Sequence, residues 1–212
     1  MTDEMKIVPS GAALGADVWN VKLDELNDAG FARIYQAWLD NNGVLRFPCQ
    51  DLDDDKFLAF ANRFGELDMA PINANGKYWK PEYPQLAVIS NVTVDGVPIG
   101  SLGSYESKWH TDMSYNELPP KASILYAIEL PLEGGDTGYA STGAAYDALS
   151  DEMKERIDGL TCKHDSSHNS VGQVRKGYQE VYENRDDVPG AVHPLVAEHP
   201  ETGRKVIYLG RR

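Results

Sequence analysis

Cysteine is scarce in this sequence, which argues against a cysteine-based metal site and against a disulfide-rich secreted protein. Of the 212 residues, two are cysteines, Cys49 and Cys162. They lie far apart in the chain, so they lack the short spacing of a cysteine-based metal site. Two thiols cannot supply the disulfide framework of a small secreted protein either, so we expect free thiols in a reducing compartment.

Long apolar runs are also absent. No stretch of the sequence approaches the roughly 18 consecutive apolar residues that a membrane-spanning helix needs. The N-terminal residues MTDEMKIVPSG are acidic and lack the apolar core of a secretory signal. We therefore predict a cytoplasmic protein without a membrane partner.

Positive charge is in short supply. Lysine and arginine total 20 against 33 aspartates and glutamates, which gives a formal net charge of -13. Such a charge repels a phosphate backbone, so we predict that nucleic acid is not a partner. A small anionic substrate stays compatible with this charge only where Lys or Arg is concentrated locally.

The remaining composition is that of an ordinary globular protein. Hydrophobic residues make up 42% and charged residues 25% of the chain, and no repeat or low-complexity tract is visible. A length of 212 residues suits one domain with a sizeable core. We therefore predict a single domain over residues 1–212.

Hydrophobic periodicity predicts a strand-rich chain with a few helices. Apolar residues at helical spacing predict amphipathic helices over 28–41 and 53–64. The pair Asp95-Gly96 predicts a hairpin turn, and apolar runs predict strands over 122–130 and 137–142. This order is neither a βαβ alternation nor a helical bundle. It favours a mainly β chain with flanking helices (α+β), in which a barrel-like core is covered by helices.

The most informative motif is Trp109-His110-Thr111-Asp112. On an extended chain, side chains two positions apart point to the same side, so His110 and Asp112 can bind one metal ion together. A second histidine would complete a two-histidine, one-carboxylate triad, which leaves positions on iron(II) open for other ligands. A surface turn with a His–Asp hydrogen bond is the alternative interpretation of the same residues.

The residues around this motif resemble the taurine and 2,4-dichlorophenoxyacetate dioxygenase family. The matching stretches are WHTDMSYNELPPKASILYAIELPLEGGDT, AYDALSDEMKERIDGL and HPLVAEHPETGRKVIYL. Two early stretches, ALGADV and FANRFGELD, are also similar. The resemblance therefore covers nearly the whole chain, and its most specific feature is the ordered spacing from Asp112 to Thr137.

The resemblance implies a double-stranded β-helix, or jelly roll, with iron at its mouth. It also implies an oxidoreductase that uses iron(II), 2-oxoglutarate and O2 to hydroxylate or oxidatively cleave a small organic substrate. In that reaction 2-oxoglutarate is converted to succinate and CO2. Family members commonly form homo-oligomers, and the resemblance extends that expectation to this chain.

The resemblance also assigns roles to individual residues. It implies that His110 and Asp112 are two iron ligands and that the hydroxyl of Thr137 helps to bind 2-oxoglutarate. Related halogenases have a small residue in place of the carboxylate, so Asp112 favours hydroxylation or cleavage over halogenation. Three further positions match residues that face the substrate in the family: Glu106, Met113 and Tyr115.

The chain departs from the family pattern in two places. In the family, the third iron ligand and an arginine that pairs with 2-oxoglutarate follow the segment that matches 203–209. Neither position is reached, so we predict a domain that lacks its C-terminal part and a jelly roll that is incomplete. Three explanations stay open: a fragment, a short inactive protein, or a third ligand from another histidine or subunit. The segment 67–71 also lacks the histidine that contacts the sulfonate in taurine enzymes, which disfavours taurine as the substrate.

Two other functions fit the same motif. A zinc ion held by His110 and Asp112 could activate water for hydrolysis, without any need for 2-oxoglutarate or O2. A catalytically inactive jelly roll could bind a small acid or a protein partner. The sequence leaves the substrate and the oligomeric state open.

Overall fold

A computed structural model describes residues 4–73, 75–105, 108–178 and 182–209. The contacts among these residues divide the chain into two compact units. The first unit is drawn from Met1–Arg63, Ile124–Leu160 and Pro194–Tyr208. The second unit is drawn from Phe64–Ser123, Thr161–His193 and Leu209–Arg212.

The first unit contains a three-stranded sheet. Strand β1 (Lys6–Pro9) runs antiparallel to β2 (Ala16–Trp19), and β2 runs parallel to β3 (Leu45–Arg46). Side chains alternate between the faces of a strand, and on β2 the residues Ala16 and Val18 are buried. One face of the sheet therefore contributes to the core of this unit.

Two of the helices in the first unit were predicted from sequence and are confirmed. They are α1 (Asp28–Asp40) and α2 (Asp54–Ala61). Each begins at a side-chain cap: Asn27 and Asp53 each accept a 2.8 Å hydrogen bond from the backbone N–H three residues later. Such caps satisfy donors that a helix cannot satisfy itself. The inner faces of the helices bury large side chains, which include Ile34, Trp38 and Phe60.

The rest of the first unit consists of two short helices and a hairpin. Helices α3 (Thr142–Asp147) and α4 (Asp151–Ile157) begin after capping serines at 141 and 150. Strands β10 (Val196–Glu198) and β11 (Lys205–Ile207) pair antiparallel, and α3 contacts β11.

The prediction of strands over 122–130 and 137–142 is wrong. The backbone there forms no regular strand, and Leu125, Ile128 and Leu130 are 61%, 88% and 79% exposed. Strand propensity reflects how a side chain fits a pleated, half-buried surface. A strand also needs a partner for its N–H and C=O groups, and no described segment pairs with these residues.

The second unit is built from short strands joined by long turns. The predicted hairpin is confirmed: Asp95 and Gly96 both have positive φ, +52° and +76°, as a tight hairpin turn requires. The turn joins two antiparallel strands, β5 (Thr93–Val94) and β6 (Val97–Pro98). The other strands form two pairs, which are β4 (Ile89–Ser90) with β7 (Ser101–Leu102) and β8 (Thr161–Asp165) with β9 (Gly190–Pro194).

Across the described ranges, eleven strands accompany four α-helices. The described chain therefore combines many short strands with few helices, and the mainly β jelly roll predicted from sequence stays a prediction. None of the helices in the described part of the chain has the length and apolar character needed to cross a membrane.

Candidate metal centre

The second unit brings the two predicted metal ligands together. His110 and Asp112 lie in the long turn that follows β7, and the Nε2 atom of His110 is 3.1 Å from Oδ1 of Asp112. Both groups therefore lie on one side, in a turn with a His–Asp contact, which was the alternative interpretation of this motif. The His110 side chain is 24% exposed and that of Asp112 is 56% exposed, so the pair faces accessible space.

A backbone contact fixes the proton on the His110 ring. Its Nδ1 atom is 2.6 Å from the carbonyl oxygen of Lys108, which can only accept a hydrogen bond, so Nδ1 carries a proton. In a neutral ring, Nε2 then carries a lone pair and can only accept a hydrogen bond. The carboxylate oxygen that it faces can also only accept one. A cation between the two atoms, either a proton on Nε2 or a metal ion, relieves this opposition.

The spacing of the two atoms fits a shared metal ion. Two donors that each lie about 2.1 Å from an ion, at right angles, are about 3.0 Å apart. The observed 3.1 Å between His110 Nε2 and Asp112 Oδ1 agrees with this. Among the residues that the structure describes, no group of three His, Cys, Asp or Glu side chains is arranged to hold a metal ion.

The second oxygen of Asp112 has a different contact. Oδ2 accepts a 3.0 Å hydrogen bond from the hydroxyl of Ser123, eleven residues later. The carboxylate is thus held from both sides, with Oδ1 toward His110 and Oδ2 toward Ser123. Sequence reasoning missed Ser123, because nothing in its local sequence signals a contact with Asp112.

The turn after Asp112 is held in an unusual backbone conformation. Met113 has a φ of +49°, in a region that β-carbon-bearing residues rarely adopt and that recurs at functional sites. His193 stabilises the turn, because its Nε2 atom lies 2.9 Å from the Ser114 carbonyl and 3.0 Å from that of Asn116. The His193 ring in turn packs edge to face on the fully buried His164, at 5.0 Å between centroids. From sequence, His193 was one of the further histidines that could have supplied a third ligand.

A cavity of about 300 Å³ opens beside His110. Its lining combines residues of the metal motif with the turn that follows β8: Lys108, Trp109, His110, Asp165, His168, Asn169, Ser170 and Gly172. A cavity of this size that ends at a candidate metal ligand can hold a small molecule.

One wall of this cavity is a hydrogen-bonded group of three side chains. The buried Ser167 donates from its backbone N–H and its hydroxyl to Asp165, at 2.7 and 2.8 Å. The Nδ1 atom of His168 is 2.8 Å from the Ser167 hydroxyl and 3.3 Å from Asp165. Burial opposes ionisation of Asp165, but the hydrogen bonds from Ser167 and His168 outweigh it and hold the pKa of this carboxyl below its ordinary value. The wall is therefore anionic at Asp165 and fixed by its own contacts.

The cationic side of the cavity is Lys108. A β-carbon added at Gly172 would lie 3.3 Å from the Lys108 Nζ atom, so the bare glycine leaves room for the ammonium. Within the described ranges, the salt bridges do not include Lys108. Because Asp165 is occupied by Ser167 and His168, the ammonium of Lys108 remains available to a bound anion.

The other residues singled out from the sequence are placed as follows. Glu106 lies outside the described residues. Met113 is half-buried in the turn, and Thr137 belongs to the first unit, where it is exposed. The hydroxyl of Tyr115 accepts a 2.6 Å hydrogen bond from Arg175, whose guanidinium also lies 4.4 Å from the centre of the Tyr115 ring.

This chain is similar to several known proteins. A family model described as "Taurine catabolism dioxygenase TauD, TfdA family" matches residues 6–212. An (S)-phenoxypropionate/alpha-ketoglutarate-dioxygenase of Sphingobium herbicidovorans is 34% identical, over 100% of this chain and 72% of that protein. An alpha-ketoglutarate-dependent 2,4-dichlorophenoxyacetate dioxygenase of Cupriavidus pinatubonensis is 31% identical, over 95% of this chain and 72% of that protein.

Solved structures give the same picture. A taurine dioxygenase from Burkholderia xenovorans superposes with a TM-score of 0.71 at 28% identity, over 98% of this chain and 63% of that one. AAD-2 in complex with Mn(II) and N-oxalylglycine gives a TM-score of 0.66 at 25% identity, over 98% of this chain and 70% of that one. The chain thus spans between 63% and 72% of the length of the four proteins compared.

Proposed function

The chain belongs to the taurine catabolism dioxygenase TauD, TfdA family, and we propose that it functions as an iron(II)- and 2-oxoglutarate-dependent dioxygenase of a small organic acid. The observation that carries the proposal is the opposed pair of acceptor atoms, His110 Nε2 and Asp112 Oδ1, at 3.1 Å. AAD-2 supports it, because that relative was solved with a divalent metal and with N-oxalylglycine, whose skeleton is that of 2-oxoglutarate with NH in place of one methylene.

The residues of the site have distinct tasks in this proposal. His110 and Asp112 hold the ion, and the Lys108 carbonyl keeps the His110 ring in the metal-binding tautomer. Iron(II), 2-oxoglutarate and O2 supply the oxidising chemistry, in which 2-oxoglutarate becomes succinate and CO2 while the substrate is hydroxylated or oxidatively cleaved. The protein positions the substrate in the cavity beside His110, which Trp109 also lines.

The charge of the cavity indicates the substrate class. Lys108 is the cationic group of the cavity, and we assign it to receive an anionic group of the substrate. Relatives act on (S)-phenoxypropionate and 2,4-dichlorophenoxyacetate, both of which carry a carboxylate beside the carbon bonded to the ether oxygen. We extend the proposal to an aryloxyalkanoic or similar acid. Hydroxylation next to its ether oxygen would collapse to oxidative cleavage.

The remaining predicted site residues keep their roles as part of the proposal. The hydroxyl of Thr137 is assigned to 2-oxoglutarate. Met113 and Tyr115 are assigned to the substrate side, where the Arg175 contact fixes the Tyr115 ring. Glu106 is assigned to the substrate on the family resemblance alone.

The proposal also accounts for an exposed apolar segment of the first unit. The exposed apolar side chains of Leu125, Ile128 and Leu130 lie on an extended segment without a paired strand among the described residues. Exposed apolar edges of this kind are normally covered. We propose that the double-stranded β-helix that the family resemblance implies covers these side chains.

A turnover assay tests the proposed function. We would measure O2-dependent succinate formation from 2-oxoglutarate by the full-length protein with phenoxypropionate, 2,4-dichlorophenoxyacetate and taurine. The proposal predicts turnover with an aryloxy acid and none with taurine. Hydrolysis that needs neither O2 nor 2-oxoglutarate would favour the zinc interpretation instead. Binding of the acids without turnover would favour an inactive binding protein.

A further inference from the structure

The two oxygens of Asp112 have separate partners. Oδ1 lies 3.1 Å from His110 Nε2, on the side where the proposed metal ion binds. Oδ2 accepts a 3.0 Å hydrogen bond from the Ser123 hydroxyl. A hydroxyl has one proton to donate, and Ser123 gives it to this carboxylate rather than to a backbone carbonyl.

We propose that Ser123 is a positioning residue that makes Asp112 a ligand through one oxygen only. The proposal rests on the proposed metal centre and deepens it. A carboxylate can bind an ion through one or both oxygens, and the choice decides how many positions on the ion are left open. Because Ser123 occupies Oδ2, Oδ1 alone is directed at the ion.

The consequence of this restraint is a free coordination position. A site with two histidines and one carboxylate reacts because the other positions on the metal stay open for ligands. A carboxylate that swung to bind through both oxygens would fill one of them. The bond from Ser123 opposes that swing, and hydrogen bonds to an ionised group are stronger than neutral ones.

The position of Ser123 in the chain supports a positioning role. It lies eleven residues after Asp112, beyond the turn that begins at Met113 and beyond Pro119-Pro120. The bond therefore ties the two ends of a long connection together at the ligand itself. Removal of a group that orients a metal ligand typically lowers metal affinity about 10- to 100-fold.

A matched pair of variants tests the proposal. Threonine and valine have nearly the same shape and differ in the hydroxyl, so Ser123→Thr keeps the donor and Ser123→Val removes it. We would titrate the full-length protein with Mn(II), alone and with 2-oxoglutarate, by calorimetry. We would also record the anaerobic charge-transfer band of its iron(II)–2-oxoglutarate complex. Ser101→Ala is the control, because Ser101 also donates a 3.0 Å hydroxyl hydrogen bond in the second unit, to the Val88 carbonyl.

The expected result distinguishes an effect of the Ser123 hydroxyl from an effect of side-chain packing. Ser123→Val should bind Mn(II) about 10-fold or more weakly and shift the band, while Ser123→Thr and Ser101→Ala stay near the wild type. Equal affinity and an unchanged band for Ser123→Val would overturn the proposal. A wild type that binds no Mn(II), or binds it regardless of His110→Ala, would overturn the metal centre itself. Failure of the metal centre can be distinguished from failure of the Ser123 proposal, because it would be observed in protein that keeps Ser123.

Discussion

The two units of the protein bury different kinds of side chain. The fully or nearly fully buried residues of the first unit are apolar, and they include Val18, Ile34 and Phe60. In the second unit, buried positions are mostly polar: Ser114, His164, Ser166 and Ser167. Apolar burial stabilises a fold without direction, whereas buried polar groups need partners and so fix particular orientations. The comparison suggests that the first unit contributes stability and the second holds a site in place.

The largest expected effect on this comparison is the loss of stability when a cavity is created in the apolar core of the first unit. Ile34 is fully buried on α1, and Ile34→Ala should lower the free energy of unfolding by about 2–5 kcal/mol. The measurement is urea denaturation of the variant beside Gln36→Ala, an exposed position on the same helix that should change stability by less than about 0.5 kcal/mol. Similar stability for both variants would contradict an apolar core at Ile34.

A smaller effect is expected from the polar support of the second unit. His193→Ala removes the donor to the Ser114 and Asn116 carbonyls and should cost about 1–3 kcal/mol of stability. Because the turn it holds follows Asp112 directly, affinity for Mn(II) should also fall. The matched measurement is Mn(II) titration of Ile34→Ala under conditions where it stays folded, which should leave affinity unchanged. Equal loss of affinity in both variants would remove the distinction between the units.

The features that could be predicted from sequence are local in the chain, whereas those that were missed join distant residues. Helix α1 could be predicted because its aromatic and aliphatic residues repeat at helical spacing. The His110–Asp112 pair could be predicted because the two residues are only two positions apart in the chain. The contacts of Ser123 and His193 were not visible, because they join residues far apart in the chain. The strand predicted over 122–130 was wrong because its composition encodes a propensity, while the pairing that makes a strand depends on a second segment.

The smallest expected effect concerns acid stability. The pKa of Asp165 is held below its ordinary value, so its ionised form is stabilised more in the folded than in the unfolded state. That contribution is fully present above the unfolded pKa of about 3.9 and is lost as the pH falls through the lower folded value. Wild-type protein should therefore exceed Asp165→Asn in unfolding free energy at pH 6, by a margin that narrows below about pH 4.

Comparison of pH 6 with pH 3 in urea denaturation measures that margin. Asp186→Asn serves as the control, since this exposed carboxylate lies outside the cavity. A margin that is constant with pH would mean that the hydrogen bonds from Ser167 do not favour the ionised carboxylate.

The central claim is that His110 and Asp112 form a metal centre that takes 2-oxoglutarate, and one anaerobic measurement tests it most directly. Iron(II) and 2-oxoglutarate are added to the full-length protein, to its His110→Ala variant and to His199→Ala, a half-buried histidine of the first unit. We expect a weak visible charge-transfer band in the wild type and in His199→Ala, and no band in His110→Ala. A band that survives in His110→Ala, or its absence from the wild type, would contradict the account.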